Sequence, residues 1–224
     1  MSDLLYILLA GVVGYLFGAI PFGFLFVKAT KNVDLREVGS GRTGGTNSFR
    51  AAGLGIGILT ALSDVLKGAC AIWIAWGLFG RTLDNNALAW AAVACGLFAV
   101  IGHNWSIFLG WRGGAGTGPN VGWAAAIWWP FFPLGILVVG GLLWGIGIAS
   151  VASLSMGVVI FLIFGLRYLM GIDPTPAYFV GGILTFLVVA WSLRPNIRRL
   201  LAGEERVVGP RARRRKREQE AANS

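Results

Sequence analysis

The sequence predicts an all-α fold, a polytopic membrane helical bundle of about seven transmembrane helices with the N-terminus outside and the C-terminus inside. Three observations predict it. The chain has 224 residues, of which 56% are hydrophobic and only 13% charged, where soluble domains are about a quarter charged. Residues 113–166 contain no Asp, Glu, Lys or Arg, too long an apolar stretch for a soluble core and enough for two or three crossings of about 20 residues each. Of the 19 Lys and Arg, five lie at 28–50 and ten at 194–224. Both groups flank apolar segments, as cytoplasmic loops do.

The elements follow in order. A first span covers residues 4–27 and ends at Lys28. It opens with Asp3 and no basic n-region, so it reads as a retained span and not a cleaved signal. Residues 28–50 form a basic, glycine-rich loop. A second span runs over 53–79, a short polar loop over 80–86, and a third span over 87–102. Residues 103–120 are again glycine-rich. The uncharged region then supplies three short spans, at 119–130, 133–147 and 150–166, broken at Pro130 and Pro133 and at the Gly/Ser/Ala-rich stretch 145–155. Residues 167–176 are a polar loop, and 177–193 the last span. Two basic segments that both lie inside make the number of spans after the first even, which gives seven in all; six spans, which would put the basic tail outside, is the main alternative. Residues 1–208 form the transmembrane domain. Residues 209–224 form a basic, disordered tail that can lie on anionic lipid.

Several function classes drop out on composition. The net charge of +9 sits in topological loops, not on a soluble basic face, so no nucleic acid partner is expected. Cys70 and Cys95 lie inside apolar runs as small core residues, His103 is the only histidine, and no metal-ligand spacing occurs. Neither a metal nor another cofactor is expected.

Three Gly/Ser-rich stretches, 39–53, 102–122 and 145–155, fall on the same side of the membrane under this topology. Non-helical backbone at membrane depth is tolerated where it lines a protein cavity, so the three predict one shared polar pocket. In the first, Gly39-Ser40-Gly41-Arg42-Thr43-Gly44-Gly45-Thr46-Asn47 leads into a helix N-terminus, where anions are favoured, and Arg42 and Arg50 suit bidentate phosphate contacts. In the second, Gly102-His103-Asn104 and Arg112-Gly113-Gly114-Ala115-Gly116 repeat glycines beside an arginine. His103 is open to acid/base, phosphate-ligand and structural roles. The third holds Ser150 and Ser153, which can also back-bond to their own helix. Asp64 and Lys67, three apart in the second span, can pair on one helical face.

In order and spacing these residues resemble the bacterial acyl-phosphate-dependent glycerol-3-phosphate acyltransferases over nearly the whole chain. Gly18-Ala19-Ile20-Pro21-Phe22-Gly23, Asp34-Leu35-Arg36 with Gly39 to Asn47, Asp64 to Gly68, Gly102-His103 with Gly113 to Gly116, and Asn196-Ile197 with Arg199, Leu200 and Gly203 each match a motif of that family. The resemblance implies seven spans in a bacterial cell membrane and a site facing the cytoplasm. It implies transfer of a fatty acyl group from acyl phosphate to the 1-hydroxyl of glycerol 3-phosphate, without acyl-CoA, acyl carrier protein, metal or cofactor. The implied partners are these two substrates, membrane lipids and an enzyme that produces acyl phosphate. The catalytic candidates are Ser40, Arg50 and Ser150. The substrate- and phosphate-binding candidates are Gly41, Arg42, Gly44, Thr46, Asn47, His103, Arg112, Gly113, Gly114, Gly116, Ser153 and Asn196. The chain departs from the family pattern where a lysine becomes Ala115, at Ile146 and Gly147 before the serines, and at Leu193 in place of a histidine. Arg42, which stands where the family has Asn, is expected to supply the charge missing at 115. The alternative expectation is a catalytically altered paralogue that keeps the fold and binds a lipid or phosphorylated metabolite. A small transporter ranks last, because only Asp64 and Lys67 are ionisable within spans.

Overall fold

The computed structural model describes residues 2–209, 211, 212 and 221. The expected tail at 209–224 lies almost entirely outside the described residues. The described chain is all-helical: α1 (Asp3–Ala19), α2 (Phe22–Lys31), α3 (Gly45–Ala52), α4 (Leu54–Phe79), α5 (Asn85–Asn104), α6 (Thr117–Ile127), α7 (Phe131–Gly135), α8 (Gly141–Gly145), α9 (Ala149–Leu169), α10 (Ala177–Ser192) and α11 (Arg194–Leu201). A π-helical segment, Ile136–Gly140, joins α7 to α8.

Four helical stretches are long and apolar enough to cross a membrane: Asp3–Lys31, Leu54–Phe79, Asn85–Leu109 and Ala149–Leu169. The pair α10–α11, bent by 66°, makes a fifth when the two are counted as one span. The expected spans at 119–130 and 133–147 correspond to shorter helices, α6 and Phe131–Gly145. At 1.5 Å per residue, the 11 residues of α6 reach only about 16 Å. The first expected span is two helices with a break at Ile20–Pro21. Proline has no N–H and disfavours helical backbone in the residue before it.

Local chemistry explains several boundaries. The Asp84 carboxylate accepts the Ala87 N–H at 2.7 Å and caps α5. Asn32, in the left-handed region, ends α2. On α1 the large residues Leu4, Leu8, Val12 and Leu16 are exposed, while Ala10, Gly11, Gly14 and Gly18 are buried. This is the reverse of a soluble amphipathic helix, and it suits lipid outside and close helix contact inside. A side chain at Gly14 would overlap the Cys95 backbone, so α1 and α5 touch backbone to backbone. The core is completed by Trp123, Phe131 and Phe164, all fully buried. Phe164 stacks on Trp123 at 5.3 Å and meets Phe131 at 4.9 Å. These contacts fasten α6, α7 and α9 together, and the Thr117–Ser153 hydrogen bond brings the starts of α6 and α9 side by side.

Candidate functional site

Hydrogen bonds tie the three Gly/Ser-rich stretches and the segment after α11 to one another. The Thr43 N–H donates to Gly113 O at 3.4 Å, joining the first loop to the second. Thr117 Oγ1 donates to Ser153 Oγ at 2.6 Å, joining the second to the third. Val207 pairs with Ile148, and the Val208 N–H donates to Gly147 O at 2.7 Å, joining the third to the chain end. Arg206 Nη1 donates to Gly39 O and closes the circuit on the first loop.

Asn47 organises the first loop. Its Nδ2 donates to Leu35 O, Val38 O and Arg42 O at 3.2, 2.9 and 2.8 Å, and its Oδ1 accepts the Ser40 N–H at 3.1 Å. Its polar capacity is spent inside the loop, which folds the chain from 35 to 42 around the start of α3. Asp34 and Arg36 pair at 2.6 Å at the loop entrance. The Arg36 hydrogen bond holds the Asp34 carboxyl below the usual carboxylate range, at about 2. Ser40 is half-buried, and its Oγ accepts the Arg42 N–H at 3.4 Å. Gly41 donates its N–H to Val38 O. Gly44 caps α3, and the half-buried Thr46 stands in its first turn, so α3 begins with backbone amides lacking an intrahelical acceptor.

Arg42 clamps the site. Nη1 donates to Gly114 O at 2.8 Å and Ser192 Oγ at 3.0 Å, and Nη2 to Ser192 O at 2.6 Å and Asn196 Oδ1 at 3.2 Å. Four of its five N–H groups thus bond protein atoms around the residue before Ala115. Asn196 donates through Nδ2 to Glu205 Oε1 at 2.8 Å, and Arg199 Nε meets Glu205 Oε2 at 3.1 Å. Arg50, at the end of α3, is half-buried and makes no side-chain hydrogen bond or ion pair among the described residues. Burial first, and the neighbouring Arg206 cation next, push its guanidinium below its ordinary value, and Glu205 opposes them.

In the second stretch the N–H groups of Gly113 and Gly114 donate to Asn104 O at 3.1 Å and His103 O at 2.9 Å. They therefore seal the end of α5 and are not free anion donors in this structure. Gly116, with φ of +87°, caps α6. Arg112 is exposed, within electrostatic reach of Asp34 and not bonded into the cluster. His103 is buried beside Asp64 and Lys67, and the expected Asp64–Lys67 pair is present at 2.9 Å. In the third stretch Ser153 Oγ donates to Ala149 O at 2.9 Å, the back-bonding allowed for it. Ser150 Oγ is buried with no partner among the described residues.

Sequence reasoning missed Ser192, Asn104, Glu205 and Arg206. The Asn104 carboxamide is buried against Gly116 without a partner among the described residues. Glu205 stands two residues past Gly203, the last residue of the tail match, and so lay just outside it. Ser192 and Arg206 had no signal, because their contacts are long-range.

The sequence model described as glycerol-3-phosphate acyltransferase matches residues 8–203. A glycerol-3-phosphate acyltransferase of Gloeobacter violaceus is 35% identical over 196 residues, covering 87% of this chain and 91% of the relative. One from Parasynechococcus marenigrum is 37% identical over 206 residues, covering 92% and 91%. Among solved structures, PlsY (YgiH), an integral membrane glycerol 3-phosphate acyltransferase in its glycerol 3-phosphate form, is similar with a TM-score of 0.73. It is 34% identical, over 93% of this chain and 96% of that one.

Proposed function

The chain belongs to the glycerol-3-phosphate acyltransferase family, and from that membership we propose that it moves a fatty acyl group from acyl phosphate to the 1-hydroxyl of glycerol 3-phosphate. The products are lysophosphatidic acid and inorganic phosphate, the first acylation of phospholipid biosynthesis. The protein is an integral membrane acyltransferase. The finer topology belongs to the same proposal: seven crossings, with α6 and Phe131–Gly145 as short ones, N-terminus outside, in a bacterial cell membrane with the site facing the cytoplasm. Basic loops at 28–50 and after 194 support this orientation.

One observation carries the reading. Arg50, half-buried in the last turn of α3 and unpaired among the described residues, lies near Arg206, whose guanidinium bonds Gly39 O, within loops held together by Arg42. Such a site is short of negative charge and fits a phosphate.

Acyl phosphate is a mixed anhydride and already activated, so no covalent enzyme intermediate is needed. The substrate hydroxyl oxygen bonds to the acyl carbon, the acyl carbon–oxygen bond to phosphate breaks, and the hydroxyl proton goes to phosphate. The enzyme's work is alignment of the two substrates and stabilisation of the oxyanion and leaving phosphate. Ser40, Arg50 and Ser150 are the groups we assign to the reacting centre. Gly41, Gly44, Thr46 and Asn196 shape the phosphate site, and Asn47 acts by folding the loop. Arg42 supplies the positive charge that Ala115 lacks. An enzyme that makes acyl phosphate is the expected supplier.

The test is phosphate release by the purified chain in lipid, given palmitoyl phosphate with and without glycerol 3-phosphate. Release that requires glycerol 3-phosphate and yields lysophosphatidic acid is the expected result. A folded chain that releases none would overturn the proposal.

A further inference from the structure

At membrane depth a charged side chain is costly, yet Asp64, Lys67 and His103 are packed together with 4%, 2% and 5% of their side chains exposed. Lys67 Nζ lies 2.9 Å from Asp64 Oδ1, 2.9 Å from His103 Nδ1 and 2.8 Å from Ile20 O. The ammonium has three donors and no acceptor. It therefore ties α4 to the end of α5 and to the break between α1 and α2. The Asp64 contact is an ion pair by distance and is not directed as a hydrogen bond. Against an ammonium at Lys67, His103 Nδ1 accepts, and the same Nδ1 lies 3.5 Å from Asp64 Oδ1.

Nε2 is aimed at Gly114, where any side chain would overlap it. The same histidine holds Gly114 through its backbone, accepting the Gly114 N–H at 2.9 Å. Gly114 O in turn accepts Arg42 Nη1 at 2.8 Å. A chain of contacts thus runs from the buried ion pair through His103 and Gly114 to the guanidinium at the phosphate site. Nδ1 is taken by Lys67, and Nε2 packs against Gly114 with no hydrogen-bond partner among the described residues. A buried ion pair is also poor at adding stability, since well-packed apolar residues of the same size often do as well or better. What it can add is a defined position.

We propose that Asp64 and Lys67 are positioning residues that act through His103 to hold the Gly113–Gly116 loop, and with it Arg42, in register for the substrate phosphate. This rests on the acyltransferase reading above and adds to it a part of the molecule that touches no substrate. It also gives His103 a positioning role through Gly114.

The test uses the full chain in lipid nanodiscs carrying the paired substitution Asp64→Leu and Lys67→Met, which removes both charges together and so leaves neither unpaired. Amide hydrogen exchange is read at Gly113 and Gly114, and kcat and KM are read separately for glycerol 3-phosphate and palmitoyl phosphate. The expected result is a loss of protection at both amides of about tenfold or more, with kcat/KM down about 10–100-fold, the scale of a misplaced site. The substrate whose KM rises is the one whose phosphate sits at this loop. Gly114→Ala, which crowds Nε2 and leaves the ion pair intact, is expected to give the same two losses, and it decides the matter if the paired variant does not fold. Unchanged exchange and unchanged kinetic constants in a folded variant would overturn the proposal. If the wild-type chain is inactive, the acyltransferase reading fails by itself, and the exchange measurement still decides the positioning role.

Discussion

Replacing Arg42 by alanine removes a guanidinium that makes four hydrogen bonds, at 2.6 to 3.2 Å, to Gly114, Ser192 and Asn196. Bonds to a charged group are each worth about 1.5–3 kcal/mol net. The four share one side chain and do not add, so a stability loss of about 2–4 kcal/mol is expected. The effect on turnover has a separate origin. Removing one preorganised donor from developing negative charge costs about 10²–10³ in kcat, or about 2.7–4 kcal/mol. The two effects separate in a second variant, Arg42→Ala with Ala115→Lys. Ala115 is half-buried against the apolar core, and a lysine stem can lie along such a wall with its ammonium at the loop. If Arg42 supplies the charge missing at 115, the double variant should regain at least about tenfold in kcat/KM over Arg42→Ala, about 1.4 kcal/mol, without regaining its melting temperature. Steady-state phosphate release and thermal unfolding in the same lipid read the two quantities. An Arg42→Ala protein with wild-type kcat/KM would refute the reasoning, and a double variant that regains nothing would show that Arg42 works only as a clamp.

Ser150 Oγ is buried without a partner among the described residues, so Ser150→Ala should leave the melting temperature unchanged or slightly raised, while kcat/KM falls about tenfold or more. A fall in stability with no change in turnover would mean the hydroxyl is structural. Gly14→Ala drives a methyl into the Cys95 backbone and should cost about 1–3 kcal/mol by prising α1 from α5, and a neutral melting curve would contradict that packing. Asp34 is held down from 3.8 to about 2 by Arg36. A depressed carboxylate stabilises above its unfolded value and loses that contribution as pH falls toward its folded one. The difference in melting temperature between wild type and Asp34→Asn should therefore be steady near neutral pH and close between about 4 and 2. A gap that persists at pH 2 would rule this out.

Much was legible in the sequence because hydropathy is local. A window of about 20 residues decides whether a segment prefers lipid, and that is why Leu54–Phe79 and Ala149–Leu169 were found where they stand. The Asp64–Lys67 pair was legible too, because residues three apart share a helical face. The loops of the candidate site were found by their glycines and arginines. Less was legible where chain geometry overrides composition. The first span is broken because Pro21 cannot donate, and α6 is shorter than a full crossing although its surroundings are uniformly apolar.

By itself, then, the sequence determined the all-helical membrane bundle and which stretches are polar enough to build a site. The tertiary structure alone decided what each polar group does there. Asn47 could have faced a ligand and instead folds its own loop. The Gly113 and Gly114 amides could have cradled an anion and instead close α5. Arg42 finds Ser192 and Asn196, 150 and 154 residues away along the chain, while Arg50 is left without a partner among the described residues. The physical reason is that a hydrogen-bonding group carries its capacity in its own chemistry, but its partner is chosen by which helices pack against which, and that choice is made only when the whole bundle closes.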